Sequence, residues 1–173
     1  MTAPPYRIVV MGPSGSGKTA VGAALAVDLA VDFIDADDLH PAANVAKMSA
    51  GTPLDDDDRW PWLDIVAQTL RDMSGGGVIA CSALARRYRD RIRATVPDAL
   101  FVELTVDRDE LDRRMRSREH FMPPALLDSQ MAALEHLAPD EPGLAELNAG
   151  RVLEVAARIR TRLDGIRPEE NPK

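Results

Sequence analysis

The chain has 173 residues, a formal net charge of −7, 45% hydrophobic and 28% charged residues, and a single cysteine, Cys81. That length suits one domain with a complete core, the acidic balance disfavours a nucleic-acid partner, and one cysteine excludes an intrachain disulfide framework or a Cys-based zinc cluster and fits a reducing cytoplasm. No apolar run approaches the roughly 20 residues that cross a bilayer, and the first seven residues have no signal-peptide core, so no membrane partner and a cytoplasmic location are expected.

Residues 6–11 form a short apolar run with β-branched members that stops at a glycine-rich turn, which reads as a buried parallel strand. Over residues 18–30, Val21, Leu25 and Leu29 recur every fourth position among alanines, predicting an amphipathic helix. Between them Gly12-Pro-Ser-Gly-Ser-Gly-Lys-Thr19 fits the P-loop pattern GxxxxGK followed by Ser or Thr, in the strand-to-helix setting the pattern needs. Gly12, Pro13, Ser14, Gly15, Ser16 and Gly17 then cradle the phosphates of ATP with backbone N–H groups at a helix N-terminus. Lys18 reaches the β- and γ-phosphates and Thr19 ligates Mg²⁺. A switch protein or an ATPase carries the same loop, so it defines the ligand and leaves the reaction open.

A second strand over residues 31–34 runs into Asp35, Asp37 and Asp38, at the strand end where open α/β sheets bind ligands. A kinase acting on an alcohol needs a carboxylate there to orient the hydroxyl and take its proton. Asp37 is the candidate, Asp35 and Asp38 compete, and Asp38 is more simply a turn acid or cap. His40 precedes a helix over 42–50 closed by Gly51; an isolated histidine at a helix start more often caps or packs than binds substrate. Residues 51–59 read as a loop in which Asp55 and Asp56 are solvated, whereas Arg59 offers a bidentate clamp for a substrate carboxylate, with a salt bridge to a neighbouring aspartate as the alternative. Pro61 suits the first turn of the next helix, whose face carries Leu63, Val66, Leu70 and Met73.

Gly75 to Gly77 is a turn before a third strand over 78–81, where Cys81 is a small buried thiol. Leu84, Tyr88 and Ile92 mark the buried face of an arginine-rich helix, a fourth strand spans 100–106, and a helix over 108–118 follows. Arg114 and Arg118 share a face of that helix and point to the proline-flanked segment 119–141, which carries a helix over 125–137 and reads as a mobile lid. Lid arginines stabilise charge on a transferring phosphoryl group, and a lid excludes water; Arg113 and Arg116 fit a solvated face equally well. A weak fifth strand over 144–147, a helix over 151–166 and a frayed tail over 168–173 complete the chain. This alternation predicts one P-loop domain, an α/β/α sandwich around a five-stranded parallel sheet.

With these residues in view, the chain resembles the bacterial-type gluconate kinases, relatives of shikimate kinase and adenylate kinase. The resemblance covers almost the whole domain. Besides the P-loop it rests on Asp37-Asp-Leu-His-Pro41 with Asn44 and Lys47-Met48, and on Gly51-Thr-Pro-Leu54 with Asp56, Asp58-Arg59 and Pro61-Trp-Leu63. It also rests on Ala80-Cys-Ser-Ala-Leu84 with Tyr88-Arg-Asp90, and on His120-Phe121 with Ser129-Gln130 and Leu134-Glu135. It implies transfer of the ATP γ-phosphate to the 6-hydroxyl of D-gluconate, with Mg²⁺, in a homodimer. It further implies Lys18, Asp37 and Arg118 at the chemistry, Arg114 at the nucleotide, and Asp37, His40, Lys47, Arg59, Ser82, His120 and Gln130 around the sugar acid. Another small-molecule P-loop kinase such as shikimate kinase, or a nucleotide-binding regulatory module without an acceptor, are the alternatives.

Overall fold

The computed structural model describes residues 5–117 and 124–166. Its first strand, β1 (Arg7–Met11), is the centre of the molecule: Ile8, Val9, Val10 and Met11 are fully buried because helices cover both faces. After the P-loop come α1 (Lys18–Leu29), β2 (Asp32–Asp35), a short 3₁₀ turn (Ala36–Leu39), α2 (Ala42–Ser49) and α3 (Asp56–Asp72). β3 (Gly77–Ala80), α4 (Arg86–Thr95), β4 (Leu100–Thr105) and α5 (Arg108–Arg116) continue the alternation, followed by α6 (Pro124–Ala133), β5 (Gly143–Leu147) and α7 (Val152–Ile166).

The five strands form one sheet in the order β2-β3-β1-β4-β5, and every pairing is parallel. Alternate residues of β1 face opposite layers. Val9 and Met11 join Leu63, Val66 and Leu70 of α3 and Ile92 of α4 on one side. Ile8 and Val10 join Val21 and Leu25 of α1 and Ile159 and Leu163 of α7 on the other. The expected architecture is therefore present, and the parallel arrangement brings the C-terminal ends of β1, β2 and β3 to one edge, where the P-loop, the 3₁₀ turn and the residues after β3 converge.

Most boundaries differ from the sequence expectation by a residue or two, as at β2, β3, α2 and α7. Two differences have physical content. The 51–59 stretch is not all loop, because α3 begins at Asp56: the Asp55 side chain accepts from the Asp58 N–H, and the Asp58 side chain accepts in return from the Asp55 N–H. This reciprocal cap, with Asp56, Asp57 and Asp58 set against the positive end of the helix dipole, starts the helix ahead of Pro61, which lies inside it.

The second difference is in the 119–141 segment. Residues 118–123 lie outside the described residues, α6 ends at Ala133 rather than near 137, and the chain beyond it is tied to the core. The Glu135 N–H donates to the Leu84 carbonyl, the Leu137 N–H to Glu103, and Leu134 and Leu137 pack on the α3 and α4 side.

Candidate active site

The P-loop curls because its glycines adopt left-handed backbone: φ is +144° at Gly12 and +92° at Gly17, the residue that caps α1. A Cβ on Gly17 would also lie 2.3 Å from the Asn148 side-chain nitrogen, which donates to the Ser16 carbonyl from just beyond β5. Asn148 is buried and acts as a clasp on the loop. Lys18 Nζ donates to the Pro13 carbonyl, folding back along the loop. From the other side, the Ser14 N–H donates to Oε1 of Gln130 on α6 at 2.8 Å. That helix is held over the loop by Leu127, which packs with Leu111 and Met115 of α5.

At the loop exit the Thr19 hydroxyl donates to Asp35 Oδ2 at 2.6 Å, while Asp35 Oδ1 accepts from the Asp37 N–H and caps the 3₁₀ turn. A hydroxyl and a carboxylate side by side are hard oxygen donors of the kind Mg²⁺ accepts. Among the described residues no cluster of three His, Cys, Asp or Glu forms a closed metal cage; an ion carried in on phosphates needs only one or two protein oxygens. Asp35 thus separates from its competitors: its carboxylate belongs to Thr19 and the turn.

A cavity of about 630 Å³ opens beside the loop, and Ser14, Lys18, Asp37, His40, Arg59, Ser82 and Gln130 all line it. The Asp37 carboxyl reaches solvent through the cavity, yet protein crowds it enough that desolvation raises its pKa above the ordinary aspartate value, with Lys18 pulling it down and Asp35 and Asp38 adding to the rise. Its Oδ1 lies 4.0 Å from His40 Nε2. The His40 ring stacks on Trp62, with ring centres 4.1 Å apart, and burial with Arg59 nearby pushes its pKa down to about 4. His40 is therefore neutral near pH 7 and both packs and faces the cavity. Cys81, next to Ser82 in the chain, is buried, and burial pushes its thiol up to about 12, so it is not a thiolate nucleophile.

Other expected site residues are elsewhere. Lys47 does not line the cavity: its ammonium pairs with Asp58 and Asp55 and braces the start of α3. Arg114 is not among the residues that line this cavity and bonds Glu110, the Gly15 carbonyl and the Asn148 carbonyl. Arg118 and His120 lie outside the described residues. Arg59 meets both of its expected descriptions in part: it lines the cavity, and its Nη1 lies 3.7 Å from Asp56. Asp56 itself is no solvated loop acid, since it accepts from Arg87 and from Tyr88.

The family model described as shikimate kinase matches residues 14–159. The thermosensitive gluconokinase of Escherichia coli (strain K12) is 42% identical over 164 residues, covering 92% of this chain and 88% of that one. The gluconokinase of Gluconobacter oxydans (strain 621H) is 47% identical over 142 residues, 80% of each chain. The chain belongs to the gluconokinase family. The crystal structure of a gluconokinase from Sinorhizobium meliloti 1021 agrees in fold, with a TM-score of 0.83 at 42% identity over 95% of this chain and 93% of that one. Membership of the gluconokinase family makes the chain a kinase that uses ATP.

Against that family background, sequence reasoning passed over Tyr88, Trp62, Leu84, Leu126 and Ser129 as cavity walls, and Asn148 as the clasp. The role of the Tyr88 hydroxyl was not legible, because two of its partners, Asp56 and Arg59, come from α3, about thirty positions away. Asn148 carried one signal, a small amide directly after a strand of a parallel sheet, where ligand-facing residues gather.

Proposed function

We propose that the chain transfers the γ-phosphate of ATP to the 6-hydroxyl of D-gluconate, giving ADP and 6-phospho-D-gluconate. The observation that carries this reading is the convergence of Lys18, Asp37 and Arg59 on one cavity: a P-loop cation for the phosphates, a carboxylate for the attacking hydroxyl and a cation for an acid group. Gluconate, a polyol with one carboxylate, matches that set of partners.

In this mechanism the P-loop backbone and Lys18 hold the phosphates in line with the acceptor. Asp37 accepts a hydrogen bond from the acceptor hydroxyl and takes its proton as the new P–O bond forms; its raised pKa makes it a better proton acceptor than an ordinary aspartate. Neutral His40 and Ser82 offer hydrogen bonds to the polyol, and Arg59 binds the carboxylate. Thr19 and Asp35 are the residues that would hold Mg²⁺, which when bound neutralises phosphate charge. α6 serves as the lid, with Gln130 as its contact to the loop, and Arg114 serves the nucleotide. The homodimer follows the family resemblance. The cytoplasmic location is supported by the single cysteine, and no described helix is long and apolar enough to cross a membrane.

Proton-coupled phosphorus NMR of the product tests the position of transfer. A phosphate on the primary carbon splits into a triplet; a doublet would place it on a secondary hydroxyl and overturn this reading. Sedimentation velocity at micromolar protein tests the dimer, which a single monomer boundary would contradict.

A further inference from the structure

Arg59 alone does not explain how a flexible guanidinium comes to face a substrate. Its Nη1 donates to the Tyr88 hydroxyl at 2.9 Å, and its guanidinium carbon lies 5.3 Å from the centre of the Tyr88 ring. Arg87 donates to the same hydroxyl at 3.0 Å and lies 4.6 Å from the same ring. The Tyr88 hydroxyl in turn donates to Asp56 Oδ1. The order of these bonds is forced: hydrogen bonds from Arg87 and then Tyr88 hold the Asp56 carboxyl below its usual range, so Asp56 is ionised and has no proton to give. Tyr88 must therefore spend its one proton on Asp56 and turn its lone pairs to the two arginines.

The consequence is geometric. Tyr88 is 3% exposed and its ring is pinned edge-on against Trp60, so its oxygen is a fixed point at the cavity wall. Arg59 is attached to that point through Nη1, and among the described residues its Nε and Nη2 make no hydrogen bond to protein. We infer that Tyr88, oriented by Asp56, is a positioning residue that aims the free Nε–Nη2 edge of Arg59 at the substrate carboxylate and so sets the preference for acid over neutral polyols. This rests on the reading of Arg59 given above.

The test compares Tyr88→Phe and Arg59→Lys with the unmodified protein. The readouts are kcat/KM for D-gluconate, kcat/KM for D-glucitol, in which a hydroxymethyl group replaces the carboxylate, and KM for ATP. Tyr88→Phe keeps the ring contacts and removes only the hydroxyl. The expected result is a KM for gluconate raised about tenfold, as for loss of uniform substrate binding, a smaller gluconate-to-glucitol preference, and a KM for ATP unchanged within about twofold. Asp56→Asn is expected to shift the same ratio in the same direction by a smaller factor. If Arg59→Lys collapses the preference while Tyr88→Phe keeps it, the positioning role is overturned and the clamp stands. If Arg59→Lys keeps the preference, the clamp itself is wrong and the inference falls with it. Equal losses toward gluconate and glucitol in Tyr88→Phe, with a lowered thermal midpoint, would show a merely structural tyrosine.

Discussion

Asp37 is held in the 3₁₀ turn just after β2, with its backbone N–H bonded to Asp35 and its side chain at the cavity. The two carboxylates therefore divide their work by environment: Asp35 is hydrogen-bonded to Thr19, and Asp37 is partly desolvated beside Lys18. Asp37→Asn is expected to lower kcat by about a hundred- to ten-thousand-fold, the usual range for a lost general base, with ATP affinity nearly unchanged in a fluorescence titration. Because folding raises the Asp37 pKa, the folded chain binds that proton more tightly than the unfolded one, and ionised Asp37 works against stability above the ordinary carboxylate range. The same variant should then melt no lower than the unmodified protein at pH 7. In kcat/KM for gluconate, the acid limb of the unmodified protein should lie above the usual aspartate value; activity is lost as the pH falls through it. A variant with near-normal turnover would move the base to another residue.

At the scale of elements, α4 is the informative case. The arginine run 86–93 looks in sequence like a basic patch, but Arg86, Arg87, Arg91 and Arg93 are each paired with acids of other segments or of α4, and Arg89 is fully buried. Arg89 makes a two-point pair with Glu141 and donates through Nη1 to the carbonyls of Ala83, Leu84 and Glu135. It thereby joins the cavity-lining stretch after β3 to the chain that follows α6, so one side chain fixes both the pocket wall and that returning chain. Glu141→Leu leaves that guanidinium buried without its counterion and should cost about 3–5 kcal/mol in urea unfolding, whereas the double change Arg89→Met with Glu141→Leu should recover most of the loss. Burial alone would raise the Glu141 pKa, but hydrogen bonds from Arg89, the Ala138 N–H and Arg93 outweigh it and hold it down to about 2. Its contribution is then fully present above the unfolded glutamate pKa of about 4.3 and is lost as the pH falls toward 2. At the start of α3, Asp55→Ala should cost about 0.5–2 kcal/mol through the lost cap, measured the same way.

For the whole molecule, the scaffold and the site were not equally readable in advance. β1, the P-loop and α1 were legible because their signals are local: apolar run, glycine spacing, fourfold periodicity. The start of α3 was not, since four adjacent aspartates resemble a solvated loop until their reciprocal caps are seen. The Arg89–Glu141 pair spans 52 positions and the Asn148 clasp on Ser16 spans 132, so no window of sequence contains either contact. Lys47 was drawn into the substrate site by its neighbours in the motif, and its partners, Asp55 and Asp58, are the caps that sequence reading missed. The parallel sheet itself, in order β2-β3-β1-β4-β5, brings these distant pieces to one edge.

A ligand that binds only the folded chain stabilises it by mass action, so ATP with Mg²⁺ at about 100 times its Kd should add about 2.7 kcal/mol, and Lys18→Ala should abolish most of that gain at the same concentration. The most direct measurement remains acceptor-dependent ADP release in a coupled assay, run with D-gluconate, other sugar acids, shikimate and no acceptor. The predicted result is release that rises strongly with D-gluconate and stays at background without an acceptor. Release that no acceptor increases, or that only shikimate increases, would contradict the assignment.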